Sequence, residues 1–221
     1  MITIINFGGV NAYLIKTDSC FILIDTGFPA KRTYLENVLK NSGCEPGNLK
    51  LIVLTHGDHD HAGNCAYLRK KYGAKIAMHP DDSHIVEKGD MRANRKENPD
   101  KISIMFRFVI WMSYLFKSEE FQTFMPDFYV EENFNFSLYK FDAKVIRIPG
   151  HSKGSIGILT VDESFFCGDF LYNFFGNPRI EFCDDLTDFY SSVQKLKGYK
   201  IKTFYPGHGK PFSMEQFLKM Y

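Results

Sequence analysis

Six consecutive residues, His56-Gly57-Asp58-His59-Asp60-His61, hold three histidines and two aspartates directly behind the apolar run Leu49–Leu54. A short apolar run closed by polar residues reads as a buried strand that feeds a loop. Imidazole and carboxylate supply nitrogen and oxygen ligands to zinc and similar divalent ions. In an extended segment, residues two apart project to the same side, so His56 and Asp58 can meet one ion. The chain then turns into a helix from about Ala62 to Tyr72, and Asp60 and His61 at its start can face a second ion. The bland alternative is a solvated polar loop, which does not explain so dense a cluster behind a buried strand.

Three further positions have the same character. His151 stands in Ile148-Pro149-Gly150-His151-Ser152, Asp169 in Phe166-Cys167-Gly168-Asp169, and His208 in Tyr205-Pro206-Gly207-His208-Gly209. Each is a ligand-type residue at a strand end, beside a glycine that lets backbone approach closely. Singly each is a common turn residue; together they form a series.

The remaining pattern places these segments. Ile2–Phe7, Asn11–Thr17 and Phe21–Asp25 read as a β-meander. Ala30–Leu39 reads as a helix stopped by Gly43, and Lys75–Met78 as a strand. After a polar stretch around Lys88–Lys101, strands resume at Lys144–Ile148, Ser155–Val161, Ser164–Cys167 and Ile201–Tyr205. Helices are expected at Asp185–Lys197 and Ser213–Met220. Strands that alternate with helices suggest sheets covered on their outer faces. The 221 residues, 44% hydrophobic, can bury one large core. The expectation is one domain over residues 1–221.

The order of an HxHxDH-like block, PGHxxGS, GD and PGHG resembles the metallo-β-lactamase superfamily. The matching segments are Thr55–Gly63, Pro149–Ser155, Gly168-Asp169 and Pro206–Gly209, and Asp25-Thr26-Gly27 resembles that family's early DTG turn. The resemblance implies an α+β fold, a four-layer αββα sandwich; the chain's own composition adds a helical, apolar insertion around residues 88–128, the part least like the family. The resemblance also implies two divalent metal ions. His56, Asp58 and His151 would hold one, Asp60, His61 and His208 the other, and Asp169 would bridge them. Asp25 would orient a ligand from behind.

The family's usual residue at position 58 is histidine. Asp60-His61 sets the register, so Asp58 takes the ligand position and His59 is the interposed residue, although His59 is the other candidate. Two divalent ions carry four positive charges; Asp58, Asp60, Asp169 and a bridging hydroxide would cancel them. A neutral, oxygen-rich site is harder in ligand preference. Zinc is the default expectation, with a tilt toward iron or manganese.

A metal lowers the pKa of bound water from 15.7 to about 7, so hydrolysis needs no serine or cysteine nucleophile. Asp60 would orient or accept a proton. Tyr172, three residues after Asp169, resembles an oxyanion-stabilising tyrosine of the family's homoserine-lactone hydrolases; the alternative is an aromatic packed beneath the site. The segment Ile102–Tyr129 carries Met105, Phe106, Phe108, Trp111, Met112, Tyr114, Leu115, Phe116, Phe121, Phe124 and Met125. Its apolar stretch is shorter than the ~20 residues of a spanning helix. It reads as one or two helices walling the metals, or as extra core, and a homodimer through 102–129 is an expectation.

The predicted partner is therefore a small ester, lactone or thioester. The formal net charge of +1 disfavours nucleic acid, and stable membrane insertion is not expected. The opening Met1–Asn6 lacks a signal-peptide pattern, and five scattered cysteines suggest a reduced, cytoplasmic setting. Two alternatives stand beside hydrolysis: an iron-dependent oxygenase or reductase on the same scaffold, and a non-catalytic metal-binding module.

Overall fold

The computed structural model describes residues 1–104, 106–107 and 121–221. Its first half builds a six-stranded sheet in the order β1-β2-β3-β4-β5-β7. These strands are β1 (Ile2–Asn6), β2 (Asn11–Lys16), β3 (Phe21–Ile24), β4 (Leu49–Val53), β5 (Lys75–Met78) and β7 (Phe128–Tyr129). The second half builds a five-stranded sheet ordered β13-β12-β10-β9-β8. Here the strands are β8 (Ala143–Arg147), β9 (Ile156–Thr160), β10 (Ser164–Gly168), β12 (Thr203–Pro206) and β13 (Phe212–Ser213). A two-residue pair, β6 (Lys101–Ile102) with β11 (Phe182–Cys183), lies apart from both.

Side-chain alternation dictates the layering. Successive strand residues point to opposite faces, and the apolar residues here occupy both. Ile22, Ile24, Leu51 and Val53 cluster with Val145, Ile156, Ile158 and Phe166 of the second sheet. Phe21, Leu23, Ile52 and Leu54 point the other way, toward Leu35 and Leu39 of α1 (Arg32–Asn41) and Leu68 and Tyr72 of α3 (Cys65–Tyr72). On the far side, Leu159, Phe165 and Phe204 meet Phe189, Val193 and Leu196 of α5 (Leu186–Lys197) and Phe217 of α6 (Met214–Met220). Three apolar layers between helix, sheet, sheet and helix make the expected αββα sandwich. Each large side chain buried in them contributes roughly 1.5–3 kcal/mol.

The central strands read from the sequence shift by no more than two residues at either end. Asp185 and Ser213, expected as first helical residues, act instead as N-caps; each side chain accepts a backbone N–H of the first turn. The helix expected from Ala62 is two pieces, α2 (His59–Ala62) and α3. Helix α4 (Ser83–Lys88) was not anticipated. The expected helical wall over 102–129 falls largely on residues 105 and 108–120, including Met105, Phe108, Trp111, Met112, Tyr114, Leu115 and Phe116, which lie outside the described residues. Among the described residues, no helix is long and apolar enough to cross a membrane. All five cysteines are free and buried.

Candidate metal centre

Strand β4 ends because its next donors are taken elsewhere. Leu54 N–H donates to the Ala77 carbonyl, but Thr55 N–H donates to the side-chain Oδ1 of Asp25 at 2.9 Å. The chain then leaves the sheet through His56 and Gly57 and winds into α2. Asp58 occupies the N-cap position without capping; its backbone carbonyl accepts from His61 and Ala62 N–H, and its carboxylate is free to turn inward.

The seven expected residues come together in three overlapping groups. His56, Asp58 and His151 form one, Asp60, His61 and His208 a second, and His56, His61 and Asp169 a third; within each group the donor atoms lie within 4.8 Å of one another. Asp58 Oδ2 is 3.6 Å from His56 Nε2 and 3.2 Å from His151 Nε2. Asp60 Oδ2 is 3.7 Å from His61 Nε2 and 3.3 Å from His208 Nε2. Asp169 stands between, with Oδ1 3.1 Å from His61 Nε2 and Oδ2 3.2 Å from His208 Nε2 and 4.0 Å from His56 Nε2. His59 points elsewhere: its ring stacks on Phe121 at a centroid distance of 4.1 Å.

Six of the seven donors are buried or nearly so; the Asp60 side chain, 27% exposed, marks the open side. Burial works against the charge of Asp58, Asp60 and Asp169, yet their neighbours win. Arg95, His151 and His56 hold Asp58 well below the usual carboxylate range, and His208 and His61 do the same for Asp169. Asp60 is lowered by His61 and His208. Burial likewise opposes protonation of His208, but Asp169 and Asp60 push its pKa up to about 9. His61 is raised well above the usual histidine value by Asp169, Asp60 and Asp25 against its burial.

The donor set fits divalent ions. His56 Nε2 and Asp169 Oδ1 are buried with no hydrogen-bond partner, a deficit of about 1–3 kcal/mol for each polar atom so left. Gly207 keeps the space beside Asp169 and His61 open: a Cβ there would lie 2.2 Å from Asp169 Oδ1 and 2.6 Å from His61 Cε1. Nitrogen and oxygen donors in this mixture suit zinc, iron and manganese.

Asp25 sits behind His61, its Oδ2 2.9 Å from Nδ1. The same oxygen accepts the Thr55 hydroxyl at 2.8 Å, and that hydroxyl lies 3.0 Å from His56 Nδ1. Asp25 adopts φ +57° to do so, in the left-handed region where aspartate and asparagine are enriched. Tyr172 is buried, donates its hydroxyl to Asp169 Oδ2 at 2.6 Å and stacks on the His208 ring at 4.9 Å. It touches the site through Asp169.

Other residues at the site carried no motif. Arg95 Nη2 donates to Asp58 Oδ1 at 2.5 Å from within a stretch that reads only as polar. Asp82 accepts from Gly57 N–H, Ser152 Oγ and Gly154 N–H, so it joins the loops of His56 and His151. Asn11 Nδ2 donates to the carbonyls of Pro206 and Gly209, which bracket His208. The Pro80-Asp81-Asp82-Ser83 run is a helix-start signal that marks where Asp82 stands; nothing in the sequence marks Arg95.

The chain is 26% identical over 202 residues to the beta-lactamase-like protein 2 homolog of Caenorhabditis elegans, covering 91% of this chain and 56% of that protein. It is 29% identical over 163 residues to the hydroxyacylglutathione hydrolase of Pelagibacter ubique, covering 73% of this chain and 52% of that one. It therefore spans little more than half of these relatives. Among solved structures, the di-iron-bound form of TTHA1623 superposes with a TM-score of 0.71 at 22% identity, covering 100% of this chain and 98% of that one. Residues 5–208 match the sequence pattern of the metallo-beta-lactamase superfamily, and with the αββα layers and the clustered donors at its edge, the chain belongs to that superfamily.

Proposed function

We propose that the protein is a hydrolase that uses two divalent metal ions on a small ester, lactone or thioester. The observation that carries this reading is the pair of donor triads on either side of Asp169, with buried donor atoms that no protein group satisfies. His56, Asp58 and His151 would hold one ion, Asp60, His61 and His208 the other, and Asp169 both. The bound ions would supply a nucleophile from water at neutral pH and polarise the scissile carbonyl.

The chain's own residues do the rest. Asp25 accepts from His61 Nδ1–H and so leaves Nε2 as the donor toward the ion. Tyr172 fixes the plane of the Asp169 carboxylate. Asp60, on the open side, would orient an incoming group or accept a proton. Aromatic rings flank the centre: Phe182 lies 5.4 Å from the His151 ring, Phe106 5.5 Å from Phe182, and Phe174 6.2 Å from His208. Such a wall suits an acyl or aromatic portion, and the Pelagibacter relative is named as a hydrolase of hydroxyacylglutathione.

The test is a panel of acyl thioesters, lactones, aryl esters and a phosphodiester with zinc-loaded protein. Turnover of an acyl substrate that disappears on chelation and in Asp60→Asn supports the reading; turnover of the phosphodiester alone overturns the substrate class. An iron-dependent redox reading draws on the acid at position 58 and on the di-iron-bound fold neighbour. Oxygen uptake by iron-loaded protein, without ester or thioester turnover, would favour it.

A further inference from the structure

Arg95 is the one cation that reaches into the donor cluster among the described residues. Its Nη2 donates to Asp58 Oδ1 at 2.5 Å and its Nη1 to the backbone carbonyl of His151 at 2.9 Å. The guanidinium lies 5.3 Å from the Phe182 ring centroid, and the side chain is only 8% exposed. The Asp58 carboxylate is thereby divided. One oxygen belongs to Arg95, and the other faces His151 and His56.

We propose that Asp58 and Arg95 act as one unit in place of the histidine usual at this position: Asp58 offers a single oxygen to the metal, and Arg95 cancels the extra negative charge. This rests on the two-metal reading above. Two divalent ions with Asp58, Asp60 and Asp169 carry a net charge of +1, and Arg95 raises it to +2. A histidine in place of Asp58, with no arginine, also leaves +2. The carboxylate therefore does not make the centre less cationic, and the part of the tilt toward harder metals that rests on charge is removed; the oxygen donor itself remains.

The geometry supports a matched pair. A guanidinium is a planar fork that stays charged, and here its two nitrogens reach Asp58 and the peptide that carries His151. It thereby ties two donors of the same triad. Asp82 and Asp184 also attract Arg95, while the burial of the guanidinium opposes its charge. Neither replaces Asp58 as its hydrogen-bonded partner, and a buried cation stripped of its partner beside a divalent ion is strongly disfavoured.

The test is zinc affinity, measured by competition with a chromophoric chelator on Asp58→His, Arg95→Met and the double variant. Restoring the family's residue alone should weaken zinc binding about 10–100-fold, because Arg95 then faces the ions unpaired. Adding Arg95→Met should recover most of that loss. Asp58→His binding zinc as tightly as the unaltered protein, or a double variant no tighter than Asp58→His, overturns the pairing. An unaltered protein that takes up no zinc, iron or manganese overturns the two-metal reading itself, and the proposal with it. If Asp58→His does not fold, the cobalt-loaded Arg95→Met variant decides. Freed from Arg95, Asp58 should chelate with both oxygens and raise the coordination number, which weakens the visible cobalt bands. Unchanged bands overturn the single-oxygen role.

Discussion

Replacing Asp25 by asparagine tests how the donor cluster is held. The change is nearly isosteric, and asparagine tolerates the φ of +57° that Asp25 adopts, so the backbone should not move. The hydrogen bonds cannot all survive. Oδ1 accepts Thr55 N–H at 2.9 Å, while Oδ2 meets the Thr55 hydroxyl at 2.8 Å and His61 Nδ1 at 2.9 Å. Either orientation of the amide turns its NH2 toward a nitrogen that now carries a proton. If it faces Thr55 N–H, a buried donor is orphaned at a cost of about 1–3 kcal/mol. If it faces His61, the ring must shift its proton to Nε2, the atom 3.1 Å from Asp169 Oδ1. That proton has to leave before an ion can bind. Loss of such a supporting carboxylate typically weakens metal binding 10–100-fold, about 1.4–2.7 kcal/mol. The loss should fall on the Asp60, His61 and His208 side first. Stepwise zinc competition should therefore show one of two binding events weakened in Asp25→Asn, and chemical denaturation under chelator should show the apo loss. Two zinc ions bound within about twofold of the original affinities would falsify the claim that Asp25 sets the His61 proton.

Three further outcomes follow from the same geometry. Gly207→Ala would put a methyl 2.2 Å from Asp169 Oδ1, so it should cost about 1–3 kcal/mol as overpacking and abolish tight binding of both ions, read by denaturation and metal analysis. Tyr172→Phe removes the hydroxyl that donates to Asp169 and should lower apo stability by about 1–3 kcal/mol, with activity reduced through loosened metal; unchanged denaturation and metal content would point to a purely catalytic hydroxyl. Chelation of zinc-loaded protein should lower the Tm by about 5–10 °C, since a ligand at a hundred times its Kd stabilises by about 2.7 kcal/mol and each kcal/mol moves a domain of this size by about 2–4 °C; calorimetry with and without chelator reads it.

The parts legible in the sequence are those where one residue type carries one physical demand. Apolar runs such as Leu49–Leu54 had to be buried strands, and the glycines beside His151, Asp169 and His208 located loops before any fold was known. The Asp60-His61 register points to Asp58 over His59, and Asp58 does face His56 and His151, while His59 stacks on Phe121. The two-residue strands β6, β7, β11 and β13 are too short to show a period. Helix α4 was obscured by its polar flanks. Arg95 was illegible for a different reason. Its role comes from a contact 37 residues away, and a charged residue in a polar stretch looks the same whether it faces solvent or a buried carboxylate. Arg95 therefore adds one positive charge that the ligand residues alone do not reveal.

The residues that fix the donor loops bear on how far the fold should depend on metal. His56, Asp58, Asp60 and His61 come from the first sheet's half of the chain, and His151, Asp169 and His208 from the second, so ions at the centre would pin the halves together. They are not alone in doing so. Asp82 already binds the Gly57 turn of one half to Ser152 and Gly154 of the other. Asn11 and the Tyr13 hydroxyl of β2 hold the Pro206 carbonyl just before His208, and Ile156 N–H donates to the Thr55 carbonyl. Beneath these lies the layer between the sheets, where Ile22, Ile24, Leu51 and Val53 meet Val145, Ile156, Ile158 and Phe166. A small zinc finger, with no such core, is unfolded without its metal. Here the cross-links and the core are made of protein groups alone, and Arg95, His61 and His208 offset the charges of the three carboxylates. Metal binding then spends little on ordering the chain, which is why a lowered Tm rather than collapse is the expected response to chelation.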